Sequence, residues 1–145
     1  MKARLMNDMK TAMKAKDKLR VDTIRMANAA IKNAEINGKK ELNDGEVIEI
    51  IGKEIKMRRD ALEEYKRANR LEDVAKIEKE IEILLEYMPE QLSEEELRSL
   101  IQDTIKETGA QGPRDMGKLM SALMPKVKGK ADGKLVSNLV KELLG

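Results

Sequence analysis

An all-α fold is predicted by three features of this 145-residue sequence. Apolar residues recur three and four apart in each long segment, which is the spacing of one helix face. No alternating β-branched run competes with that period. Phe and Trp are absent and aromatic residues make up only 1%, so an interior must come from Leu, Ile, Val, Met and Ala, the residues of helix-on-helix packing. The expected architecture is an N-terminal helical bundle or long hairpin over residues 1–92, followed by a small three-helix tail domain over 93–145. A chain of this length suits two small units better than one large core.

The first helix carries Leu5, Met6, Met9, Ala12 and Met13 at helical spacing. Asp17 is placed to cap a second helix with Ile24, Ala27, Ile31 and Ala34 on one face, and Gly38 reads as its C-cap. Asn43 and Glu46 form a capping box for a third helix, with Leu42 stapled onto Val47 and a stripe of Ile48, Ile51, Ile55, Leu62 and Tyr65. A fourth helix runs from about Glu72 to Met88 through Val74, Ile77, Ile81 and Leu84, and Pro89 stops it. Ser93 with Glu96 begins a fifth, which carries Leu97, Leu100, Ile101 and Ile105 and ends at Gly109. Pro113 introduces a sixth over about Arg114–Met124, where Pro125 disfavours continuation. Lys126–Ala131 is then a loop, and Asp132 caps a last helix bearing Leu135, Val136, Leu139, Val140 and Leu143.

Composition narrows the chemistry. There is no Cys and no His, which removes disulfides, thiolate catalysis, cysteine metal sites and the commonest general base near neutral pH. No apolar run approaches a membrane span and no basic-then-apolar leader is visible, so a cytoplasmic protein without a membrane partner is expected. The net charge of +2 hides an asymmetry: residues 1–41 carry 11 basic against 5 acidic residues, 42–108 carry 11 against 19, and 109–145 carry 7 against 3.

The functional candidate is Asp115–Gly133. Lys126, Lys128, Lys130 and Lys134, with Gly129 and Gly133 between them, lead into a helix N-terminus, and Lys118 lies one helix earlier. Cations and exposed amides together favour phosphate, in a salt-dependent, sequence-independent way. The alternative is a solvated basic loop; if the ligand is RNA, the absence of an aromatic residue in the tail makes stacking on unpaired bases unavailable and favours contact with a structured RNA backbone. Gly117 costs about 1 kcal/mol inside a helix, which points to close approach by another backbone or to tight internal packing. Met116, Met120 and Met124 are expected in the core, as are Met6, Met9 and Met13, for which packing onto the bundle is favoured over contact with an anionic membrane. The acidic groups Glu63-Glu64, Glu94-Glu95-Glu96 and Glu78/Glu80/Glu82 are expected to be structural.

The tail from Asp115 to Leu143, with Asn7-Asp8-Met9-Lys10, Ile24-Arg25-Met26, Arg58-Arg59-Asp60 and Tyr87-Met88-Pro89-Glu90-Gln91-Leu92-Ser93, resembles the GatB/YqeY family over nearly the whole chain. The match is close to the stand-alone YqeY-like proteins. Gly117, Met120, Gly129, Lys130, Ala131, Leu135, Val136 and Leu139 follow the shared tail pattern. In the family a related tail ends the B subunit of the glutamine-dependent aminoacyl-tRNA amidotransferase and some glutaminyl-tRNA synthetases, where it helps hold tRNA. The resemblance therefore implies tRNA as a partner, with an aminoacyl-tRNA synthetase or an amidotransferase beside it. It also carries the label of carbon–nitrogen ligase activity with glutamine as amido donor. Of a complete amidotransferase this chain has only the tail, so no catalytic residue, cofactor or metal ligand is assigned, and an accessory role is expected.

Overall fold

A computed structural model describes residues 1–145 as seven α-helices and no strand, the expected all-α class. The helices are α1 (Lys2–Lys14), α2 (Lys18–Gly38), α3 (Asp44–Arg67), α4 (Leu71–Leu85), α5 (Glu94–Thr108), α6 (Met116–Val127) and α7 (Gly133–Leu144), with a turn of 3-10 helix at Pro113–Asp115. They form two compact units, Met1–Met88 and Pro89–Gly145.

In the first unit the helix starts lie where local chemistry puts them. Asp17 accepts the Arg20 amide at 3.2 Å. Asn43 and Glu46 complete a reciprocal capping box, with Glu46 N to Asn43 Oδ1 at 2.9 Å and Asn43 N to Glu46 Oε1 at 3.2 Å. The stop of α2 differs from expectation: Gly38 is its last helical residue, and Lys39 takes the left-handed cap with φ 52°. Beyond it Glu35 accepts the Leu42 amide at 2.9 Å and the Lys2 ammonium at 2.7 Å, contacts that hold its carboxyl below the ordinary range, with the ammonium first in weight.

Helix α4 ends at Leu85 rather than Met88, because Glu86, Tyr87 and Met88 bond back three residues, to Ile83, Leu84 and Leu85, as a tightened final turn. Two constraints produce it. Pro89 excludes helix at the residue before it, and the Glu86 carbonyl is occupied by the Arg4 guanidinium at 3.1 Å.

Leu5, Ile24, Ile31, Val47, Ile51, Ile55, Ile81 and Leu84 close the core of this unit, and full burial of each aliphatic side chain contributes about 1.5–3 kcal/mol. Met9 packs against it, but Met6 and Met13 are 46% and 54% exposed, so the expectation that all three methionines pack inward holds only for Met9. Leu5, Met9 and Ala12 occupy the inward side of α1, and Met6 and Met13, each one residue past Leu5 and Ala12, are turned away from it by the rotation of the helix.

The second unit is built on Leu97, Ile101, Leu119, Leu123, Val127, Val136, Leu139 and Val140. Ser93 caps α5 through the Glu96 amide at 3.1 Å, and Gly109 closes it with φ 69°. Helix α6 runs through Pro125 to Val127, contrary to the expected stop at Met124. Proline at that point removes one helical hydrogen bond near the C-terminal end, while continuing for two more residues buries Val127 to 1% exposure beside Leu119 and Leu123. Burial outweighs the lost bond. Met116 and Met120 pack against this core as expected, and Met124 does not, being exposed.

Candidate nucleic-acid interface

Because α6 is longer than expected, the loop before α7 shrinks to Lys128–Asp132, and the five nominated lysines fall in different settings. Lys118 is exposed on α6. Lys126 belongs to the last turn of α6, where its Nζ meets Glu107 Oε2 at 2.7 Å and Thr104 Oγ1 at 3.3 Å. Its charge is neutralised within the unit. Lys128 and Lys130 are exposed on the turn and Lys134 on the first turn of α7.

The turn itself is fixed. Gly129 adopts φ 76°, a conformation that favours glycine. The Lys130 amide bonds to the Val127 carbonyl at 2.8 Å, the Lys130 carbonyl accepts from the Leu92 amide at 2.8 Å, and the Gly129 carbonyl accepts from Gln91 Nε2 at 2.7 Å. Gln91 and Leu92 thus clamp the lysine-bearing turn from the strand of chain that precedes α5. In the sequence the two residues stand at a break between domains, and no local signal ties them to the lysines of the turn.

Two features expected to favour phosphate are altered. The N-terminus of α7 is occupied by its own cap, since the Asp132 carboxylate accepts from the Lys134 amide at 3.3 Å. An anion there meets a carboxylate already in place, so the lysine side chains carry the attraction. A Cβ on Gly117 meets nothing within 4 Å, and the residue is exposed. Tight internal packing is therefore not the reason for glycine on α6.

The whole of this architecture falls under one family description. Residues 2–144 match the model described as Yqey-like protein. The chain belongs to the YqeY-like family. Similar curated proteins are named "Altered inheritance of mitochondria protein 41, mitochondrial". The one from Lachancea thermotolerans is 36% identical over 114 residues, covering 77% of this chain and 61% of the relative. That from Pyrenophora tritici-repentis is 32% identical over 119 residues, covering 81% and 65%. That from Kluyveromyces lactis is 41% identical over 86 residues, covering 59% and 46%. The YqeY-like chain thus spans less than two thirds of the length of these relatives. Their names correct the expectation of a cytoplasmic protein, because a compartment read from a missing leader pattern does not agree with relatives named as mitochondrial. No helix is long and apolar enough to cross a membrane.

Residues from four of the segments that carried the family resemblance form two polar clusters in the first unit. Arg58 is 6% exposed, with Nε 3.7 Å from Glu80 Oε2, Nη1 3.6 Å from Glu54 Oε1 and 3.1 Å from the Glu54 carbonyl, and Nη2 3.6 Å from the Met26 sulfur. Its Nε has no hydrogen-bond acceptor. Glu80 is accordingly structural, as expected of the acidic groups, but inside rather than on the surface. The signal in the sequence is a charge three residues after Ile55, in the apolar register of α3. The second cluster joins Tyr87 to Asp8 through a phenol–carboxylate hydrogen bond, with the Arg4 guanidinium 4.6 Å from the Tyr87 ring centroid. Burial first, then Asp8, pushes the Tyr87 hydroxyl well above the ordinary phenol range.

Proposed function

We propose that this YqeY-like chain binds the phosphate backbone of tRNA through its C-terminal unit and serves glutamine-dependent tRNA amidation as an accessory. The observation that supports this reading is the clamped turn between α6 and α7: Lys128 and Lys130 extend from a backbone pinned by Gln91 and Leu92, with Lys118 and Lys134 on the adjoining helices. Cations held on a fixed frame lose less entropy on meeting phosphates than cations on a loose loop. Lys126, paired with Glu107, supports the frame instead of contacting RNA.

Filter binding of unfractionated tRNA across a salt series tests the proposal. Affinity should fall steeply with salt, and Lys118→Gln with Lys130→Gln should weaken it and flatten the slope by about 1–2. Binding indifferent to both changes would refute the assignment. The amidation role is tested separately, by glutamine-dependent amidation of misacylated tRNA with and without the protein. A second reading, a protein-interaction module without RNA, takes its support from relatives named for mitochondrial inheritance. Co-purification of a protein partner without nucleic acid would favour it.

A further inference from the structure

The densest group of unengaged cations lies in the first unit, at the corner joining α1 to α2. Lys10, Lys14, Lys16 and Lys18 are all exposed, and none of them is paired with a carboxylate or bonded to another side chain. Of the other basic residues of the hairpin, Lys2 pairs with Glu35 at 2.7 Å, Arg20 with Glu86 at 2.8 Å and Arg25 with Asp22 at 3.9 Å, while Lys32, further along α2, is exposed and unpaired. The one carboxylate within the corner, Asp17, is occupied by the amide and guanidinium of Arg20.

Folding alone gives poor reasons for two of these lysines. Lys16, at φ 59°, is the left-handed residue that closes α1, its amide bonded to the Met13 carbonyl and the next amide to Ala12, as Lys39 closes α2; glycine or asparagine would suit the position better by about 1 kcal/mol. Lys18 is the first residue of α2, at the positive end of the helix dipole, where the N-cap carboxylate of Asp17 is the one acidic group beside it. Lys10 and Lys14 lie one turn apart on the outward side of α1 and extend the same positive surface.

We infer that this corner is a second contact surface for the phosphodiester backbone of structured RNA, formed by Lys10, Lys14, Lys16 and Lys18. The inference rests on the RNA-binding reading above for the class of ligand and extends it to a unit that the tail does not include. An anionic membrane fits less well: the apolar side of α1, Leu5, Met9 and Ala12, is already used by the core, and the exposed Met6 and Met13 are separated by Lys10, leaving no continuous apolar seat for acyl chains. An acidic protein fits less well too, since lysine is depleted at protein interfaces.

The test uses the full chain and unfractionated tRNA, with binding measured between about 50 and 300 mM salt. The corner variant combines Lys10→Gln, Lys14→Gln, Lys16→Gly and Lys18→Gln, and the tail variant combines Lys118→Gln with Lys130→Gln. Glycine at position 16 relieves the left-handed conformation, so the corner variant should melt no lower than wild type. It should bind tRNA about tenfold or more weakly near 100 mM salt, with a log–log salt slope shallower by about 2–3. Unchanged affinity and slope in the corner variant, with loss in the tail variant, overturn this inference and leave the tail reading standing. Loss in the corner variant alone upholds the inference and overturns the tail assignment. Wild-type protein that fails to bind tRNA overturns both, as does lysine-dependent binding to vesicles of phosphatidylglycerol and phosphatidylcholine without binding to tRNA.

Discussion

Substituting Arg58→Met keeps an unbranched stem of similar length in the first unit and removes the guanidinium that stands between Glu54 and Glu80. Breaking a buried ion pair from one side costs about 3–5 kcal/mol, because a carboxylate is left without its partner. Several features set the expectation near the lower end. The closest approaches to carboxylate oxygens are 3.6 and 3.7 Å, longer than a charge-assisted hydrogen bond, and the Glu54 and Glu80 side chains retain 12% and 11% exposure through which water can compensate. A loss of about 3 kcal/mol follows, and with a urea dependence of about 1–1.5 kcal/mol per molar the midpoint should fall by about 2–3 M.

Tyrosine emission reports this unit alone, since Tyr65 and Tyr87 are the only aromatic residues and both lie in Met1–Met88. Adding Glu80→Leu to Arg58→Met replaces most of the cluster by apolar contact and should recover the midpoint to within about 1 M of wild type. A single variant that loses less than about 1 kcal/mol, or a double variant no better than the single, would show that the cluster is not held by charge in a dry setting.

Gly117→Ala should raise the melting temperature of the second unit by about 2–6 °C, because the added methyl meets nothing and the helix gains about 0.5–1 kcal/mol; a decrease would show hidden crowding on α6. Lys126→Gln should leave tRNA affinity within about twofold while costing about 0.5 kcal/mol of stability, since its ammonium serves Glu107; a large affinity loss would make it a contact. The raised Tyr87 hydroxyl contributes stability that is complete below the ordinary phenol value of 10.0 and is lost as pH rises through the folded value. Urea midpoints followed by circular dichroism should therefore fall above pH 10, and Tyr87→Phe should remove that part of the alkaline loss; an identical alkaline profile in the variant would place the effect elsewhere.

What could be read from the sequence was whatever depends on residues a few positions apart. Asp17, Asn43, Ser93 and Asp132 cap their helices through amides two or three residues on, and Gly109 ends α5 for the same local reason. Contacts made across the fold decided the rest. Val127 draws α6 past Pro125 because a core exists to receive it, and Arg4 shapes the end of α4 from 82 residues away. Lysine spacing marked the tail as basic, but only the fold pairs Lys126 with Glu107 and brings Gln91 and Leu92 onto the turn. The corner at Lys10–Lys18 is legible in the sequence as a run of basic residues that could also suit an anionic membrane; that these charges lack partners is a property of the folded chain.

The most direct measurement is the salt dependence of tRNA binding by the 145-residue chain. Retention that falls along a log–log slope of several units, and that decreases when Lys118 and Lys130 become glutamine, is the predicted result. Absent or salt-indifferent binding in the wild-type protein contradicts the account.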